Sequence, residues 1–100
     1  MTTNHYPELS DILGSYFHQD WAAEFQTDDA ALQTIVAGES PARLKSAAAE
    51  LDLLLRKGLA QDALRTVITI ELGCFFEPHS RNLSWEEWLS HVKRKFEEGC

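Results

Sequence analysis

The sequence predicts an all-α fold, a single-domain bundle of about five helices. Apolar residues recur every three or four positions along most of the chain. The periodic stretches are bracketed by helix punctuation, with Pro, Ser or Thr at their starts and Gly at their ends. The one run rich in β-branched residues has no second strand to pair with. A chain of 100 residues is the size of one domain with one modest core. Residues 1–5 and 97–100 are expected to fray.

The first helix is placed from Pro7 to His18. Pro7 suits a first turn, where its missing N–H costs nothing. Leu9, Ile12, Leu13, Tyr16 and Phe17 form its apolar stripe, and Glu8, Asp11, Ser15 and His18 fall on the other side. Gly14 is a weak point in a helix interior unless it serves close packing. "WAAEF" comes next as a turn or continuation anchored by Trp21 and Phe25. Thr27 is positioned to cap a second helix that has Asp28 and Asp29 in its first turn and ends at Gly38. Ser40-Pro41 starts a third, with Leu44, Ala47, Ala48, Leu51, Leu54 and Leu55 as its stripe, Arg56 and Lys57 in its last turn, and Gly58 after it. The fourth, Gln61 to Leu72, contains the β-branched "VITI". Gly73 in the C-cap position favours helix there, and the apolar surround suggests a central element. The fifth opens with Ser84-Trp85-Glu86-Glu87, a capping box, and carries Trp85, Trp88, Leu89, Val92 and Phe96 as its stripe. Lys93, Arg94 and Lys95 are read into its last turns. Leu51, Leu55, Leu64, Ile68, Trp88 and Leu89 are expected to be buried.

Charge is distributed unevenly. Net charge is -7, and the seven acidic residues Glu8, Asp11, Asp20, Glu24, Asp28, Asp29 and Glu39 all precede the first basic residue, Arg43; from there on, nine acidic residues face nine basic ones. A chain of this kind lacks the basic patch that nucleic acid binding needs. An acidic face steers basic partners instead, although acidic surfaces also serve solubility. No apolar run approaches the ~20 residues of a membrane span. The first residues show neither the basic nor the apolar region of a signal peptide, so the expected compartment is the cytoplasm.

The residues that could carry chemistry have plainer uses. "YFHQDW", Tyr16–Trp21, sets His18 and Asp20 among aromatics. His18 at a helix end can bond the last carbonyls, and Asp20 can cap the segment after it. The other histidines, His5, His79 and His91, fall at no metal-ligand spacing, and no C-x-x-C or H-E-x-x-H is present. Cys74 reads as a small core residue, and two cysteines make no disulfide framework. No catalytic residue, metal or cofactor is expected.

"YPELSDILGSYFHQDW", the acidic stretch after it, "ELDLLLRKGL", "ELGCFFEP" and "SWEEWLSHVKRKF" together resemble the small immunity proteins of bacterial contact-dependent growth inhibition systems. The resemblance runs from Tyr6 to Phe96, and "YFHQDW" and the LGC-aromatic-aromatic segment are its most specific parts. It implies a cytoplasmic, non-enzymatic protein that binds and neutralises a cognate toxin domain, often a nuclease; a monomer is expected before binding. Joined to the charge pattern, it makes Glu8, Asp11, Ser15, His18, Asp20, Glu24, Asp28 and Asp29 the candidate toxin-binding residues, facing a basic active site. The competing reading is a small helical adaptor or regulatory protein for another basic partner.

Overall fold

The computed structural model describes residues 6–74, 76 and 82–99. Among these, six α-helices succeed one another: α1 (Pro7–Tyr16), α2 (Trp21–Phe25), α3 (Asp28–Gly38), α4 (Pro41–Arg56), α5 (Gln61–Thr66) and α6 (Trp85–Gly99), with a π-helical turn, Val67–Glu71, continuing α5. No strand occurs among the described residues. The helix beyond the expected five is α2, "WAAEF", a helix in its own right and not only a turn or a continuation of α1. His5, His79, most of "FFEPHSRN" and Cys100 lie outside the described residues.

The core sits where α4 and α6 pack along each other, with α1 laid on α4 and α3 on α6. Leu44, Ala47, Leu51 and Leu54 of α4 and Trp88, Leu89, Val92 and Phe96 of α6 are wholly buried. The small Ala47 and Ala48 on α4 leave room for the large α6 side chains. The "VITI" helix is therefore not the central one. Leu64 and Ile68 are buried as expected, but Ile70 is 76% exposed. Leu55 is only half-buried against the core.

"VITI" is helical, but wound as π. The Leu72 N–H donates to the Val67 carbonyl at 2.9 Å, five residues back. The hydroxyls of Thr66, just before the π turn, and Thr69, within it, donate to the carbonyls of Asp62 and Arg65, at 3.0 and 2.7 Å. Hydroxyls that bond carbonyls four residues back compete with the regular ladder and bend helices. Gly73, at φ +70°, turns the chain out of the π turn. Gly14 lies beside this exit: a Cβ there would stand 3.2 Å from the Leu72 carbonyl oxygen, so the glycine eases a close approach of α1.

Helix starts are capped both locally and from a distance. Thr27 accepts from the Ala30 N–H and Ser40 from the Arg43 N–H. The capping box of α6 is formed both ways: Ser84 Oγ accepts from the Glu87 N–H at 3.1 Å, and the Glu87 carboxylate accepts from the Ser84 N–H at 3.0 Å. The Trp85 N–H donates to the Gln61 side chain at 2.8 Å. Tyr6 supplies no side-chain cap for α1. Glu50, on α4, does so instead, its carboxylate accepting from the N–H groups of Leu9 at 2.8 Å and Glu8 at 3.3 Å. Glu50→Ala should cost roughly 0.5–2 kcal/mol, the usual loss for a helix cap. Urea unfolding would measure it, and amide exchange at Glu8 and Leu9 should quicken.

α6 runs to Gly99, so Lys93, Arg94 and Lys95 precede its final turn. Gly99 packs so closely that a Cβ there would stand 2.6 Å from Val36 Cγ1.

The capping box also has a pH signature. Hydrogen bonds from Ser84, the backbone N–H first, hold the Glu87 carboxyl below its ordinary value of 4.5. A depressed folded value stabilises above the unfolded pKa and is lost as pH falls through the folded one. The contribution of Glu87 should therefore be intact at neutral pH, begin to fall near 4.5 and be gone once pH is below the lower, folded value. A carboxyl NMR titration should place Glu87 low, and Ser84→Ala should move it back toward the ordinary value.

Candidate partner-binding surface

The eight candidate residues occupy α1, the turn after it, α2 and the start of α3. Asp11, Ser15, Asp20, Glu24 and Asp29 are exposed, and Glu8 and His18 half-buried. Asp28 is 3% exposed and accepts from Trp88 Nε1 at 3.0 Å. That bond ties α3 to α6 and takes Asp28 out of the exposed set. It occupies the first turn of α3, where its charge also suits the helix dipole.

α1 ends at Tyr16, two residues short of the expected His18, which leaves His18 in the turn. There its ring does not reach back to helix carbonyls. Nδ1 accepts from the Asp20 N–H at 3.1 Å, and Nε2 lies 2.7 Å from the Glu24 carboxylate. An accepting Nδ1 places the hydrogen on Nε2, which donates to Glu24. Asp20 caps α2 with no side-chain bond; its backbone carbonyl receives the N–H groups of Ala23 and Glu24. The aromatics of "YFHQDW" bind this turn to the core. Phe17 is buried, 5.5 Å from the Trp21 ring and 5.4 Å from the Trp88 ring. His18 thus braces the turn while its ring stays partly exposed among surface carboxylates.

Glu8 and Asp11 carry a feature that sequence spacing alone does not reveal. Arg43, the first basic residue, reaches back from α4 to both. Its Nε donates to Glu8 at 2.8 Å, its Nη2 pairs with Asp11, and its Nη1 donates to Glu39 at 3.3 Å. Glu39 in turn lies by Tyr16, whose hydroxyl is pushed up by burial first and then by the Glu39 carboxylate. The signal for Arg43 was legible in part, since Glu39 and Arg43 stand four apart across a helix start. Asp29 pairs with His91 of α6 at 2.8 Å. The acidic segment is therefore less unopposed in space than along the chain.

Elsewhere on the described surface a large open groove, of about 810 Å³, lies between α4 and α6. Lys45, Asp52, Arg56, Lys93 and Glu97 line it over Ala48 and Ala49. Its charges are mixed, with Asp52 close to Arg56 and Lys93 close to Glu97.

Cys74 is wholly buried, and burial pushes its thiol up to about 12, against a smaller opposing effect of the Phe76 backbone. Such a thiol stays protonated at neutral pH and is a poor nucleophile. Among the described residues no group of three or more His, Cys, Asp or Glu is placed to hold a metal ion. No helix among them is long and apolar enough to cross a membrane.

A helical domain with carboxylates along one segment, and with His18 and His91 committed to neighbouring side chains, has the make-up of a protein-binding module. The comparisons with known proteins say which kind. Residues 5–96 match the family model described as CdiI immunity protein, and the chain belongs to that family. Among solved structures it is similar to a chain of the crystal structure of the CdiA-CT/CdiI complex from Y. kristensenii 33638. The two share 33% identity at a TM-score of 0.85, covering 92% of this chain and 98% of that one. No curated protein matches.

Proposed function

We propose that this protein binds the toxin domain at the C-terminus of a cognate CdiA protein in the cytoplasm and holds it inactive. The observation that carries this reading is family membership together with a full-length structural relative from a CdiA-CT/CdiI complex. The protein acts as a monomer before binding, as an inhibitor and not as an enzyme. The toxin is a nuclease, and the exposed carboxylates of α1, the turn after it and α2 cover its basic substrate surface. Glu8, Asp11, Ser15, His18, Asp20, Glu24 and Asp29 make up that face. The carboxylates take the place of the phosphates the toxin would bind, and at neutral pH they attract it from a distance. Asp28 supports this face from beneath through Trp88.

The test is co-expression with the toxin domain encoded beside the gene. The protein should co-purify with that domain at equal stoichiometry and restore growth to cells making it. Loss of growth despite abundant folded protein would overturn the assignment. If growth is restored, toxin activity on RNA and DNA, measured with and without the protein, decides the nuclease part.

A further inference from the structure

We infer that Arg43, a cation set among the carboxylates of the acidic segment, is a positioning residue for toxin binding: it holds Glu8 and Asp11 in the arrangement that a cationic side chain of the toxin meets. This rests on the proposal that the α1 face docks the toxin.

By charge alone Arg43 should weaken attraction to a basic partner. Its geometry argues the opposite. Each of the three guanidinium nitrogens is spent on a different carboxylate: Nε on Glu8, Nη2 on Asp11, Nη1 on Glu39. Glu8 and Asp11 belong to α1, Glu39 caps the end of α3, and Arg43 lies in the first turn of α4. A planar fork with donors on fixed vectors can hold three such groups at once, which an ammonium does poorly. Without it, three like charges would crowd one spot and spread apart. The Glu39 side chain is 17% exposed and faces inward, whereas those of Glu8 and Asp11 are 41% and 61% exposed and keep oxygen surface for a partner. Glu50 fixes the same helix from below by capping the Glu8 and Leu9 amides. The two carboxylates are thereby ordered before the partner arrives, and a partner need not supply that ordering.

The two accounts of Arg43 predict opposite signs. Arg43→Gln adds net negative charge, so association with the toxin domain should quicken slightly at low salt in either case. If Arg43 positions the carboxylates, dissociation should quicken by more, roughly three- to tenfold, so that affinity falls. Arg43→Lys keeps the charge and should show the faster dissociation without the faster association; it also serves if Arg43→Gln does not fold. In a background of Glu8→Gln with Asp11→Asn, the Arg43→Gln effect on dissociation should disappear, which a general structural defect would not do. Unchanged or slower dissociation in folded Arg43→Gln or Arg43→Lys overturns the inference. If Asp11→Lys also leaves binding unchanged, the docking face itself is misassigned; if Asp11→Lys weakens binding, only the role of Arg43 falls.

Discussion

Trp88→Ala is expected to cost about 3–5 kcal/mol, the range for deleting a buried large aromatic. That is a large share of the ~5–15 kcal/mol total of a small domain. The ring is fully buried, stacked on Phe76 at 4.5 Å and edge-on to Phe17 at 5.4 Å. Its N–H donates to the buried Asp28. The alanine variant thus opens a cavity in the aromatic cluster and removes the buried one of the bonds joining α3 to α6. Trp88→Phe separates the two effects. It keeps most of the apolar volume but loses the bond to a charged group, worth about 1.5–3 kcal/mol. Urea unfolding should rank wild type, Phe variant and Ala variant in descending order. A Phe variant as stable as wild type would show that Asp28 does not depend on the indole.

Charge reversal on the acidic face is expected to cripple toxin binding with little effect on the fold. Asp11→Lys and Glu24→Lys change exposed carboxylates of α1 and α2. Association should slow by at least about tenfold at low salt, and the difference should shrink as salt is added. A carboxylate buried at the centre of the interface would act on dissociation instead, costing about 2–5 kcal/mol. Glu86→Lys and Glu97→Lys on α6 are the controls. Asp28 is left alone, because a lysine in its buried site would unfold the domain and say nothing about docking. Circular dichroism should confirm the fold first, since Glu24 also holds His18. If the α1–α2 reversals bind and protect like wild type while the α6 controls fail, the toxin docks on the α4–α6 side.

Helix periodicity and caps were legible because they are local. Thr27, Ser40 and the Ser84–Glu87 box each satisfy donors three residues away, and all three form as the spacing predicts. What the sequence hid depends on distant partners. Asp28 reads as one more first-turn acid until Trp88, 60 residues on, is folded over it. Glu50 looks like a solvent-facing residue of α4, yet it caps a helix 41 residues earlier. Along the chain Arg43 starts the charge-balanced half, whereas in space it belongs to the acidic one. "VITI" reads as helix, and its π winding was not legible, because hydrophobic periodicity does not tell one helical hydrogen-bond register from another.

The three tryptophans give this protein its own optical labels. Trp85 and Trp88 lie buried with their rings 6.4 Å apart and nearly perpendicular, so their emission comes from the protein interior. Trp21 is different: it starts α2, just after the carboxylate-bearing turn, half-buried and 5.4 Å from Phe76. A partner that covers α2 strips water from this indole and shifts its fluorescence, while the interior pair stays dark to the event. In a Trp21→Phe protein the remaining signal tracks unfolding alone. Wild type and Trp21→Phe, read side by side, thus separate docking from melting without an attached dye.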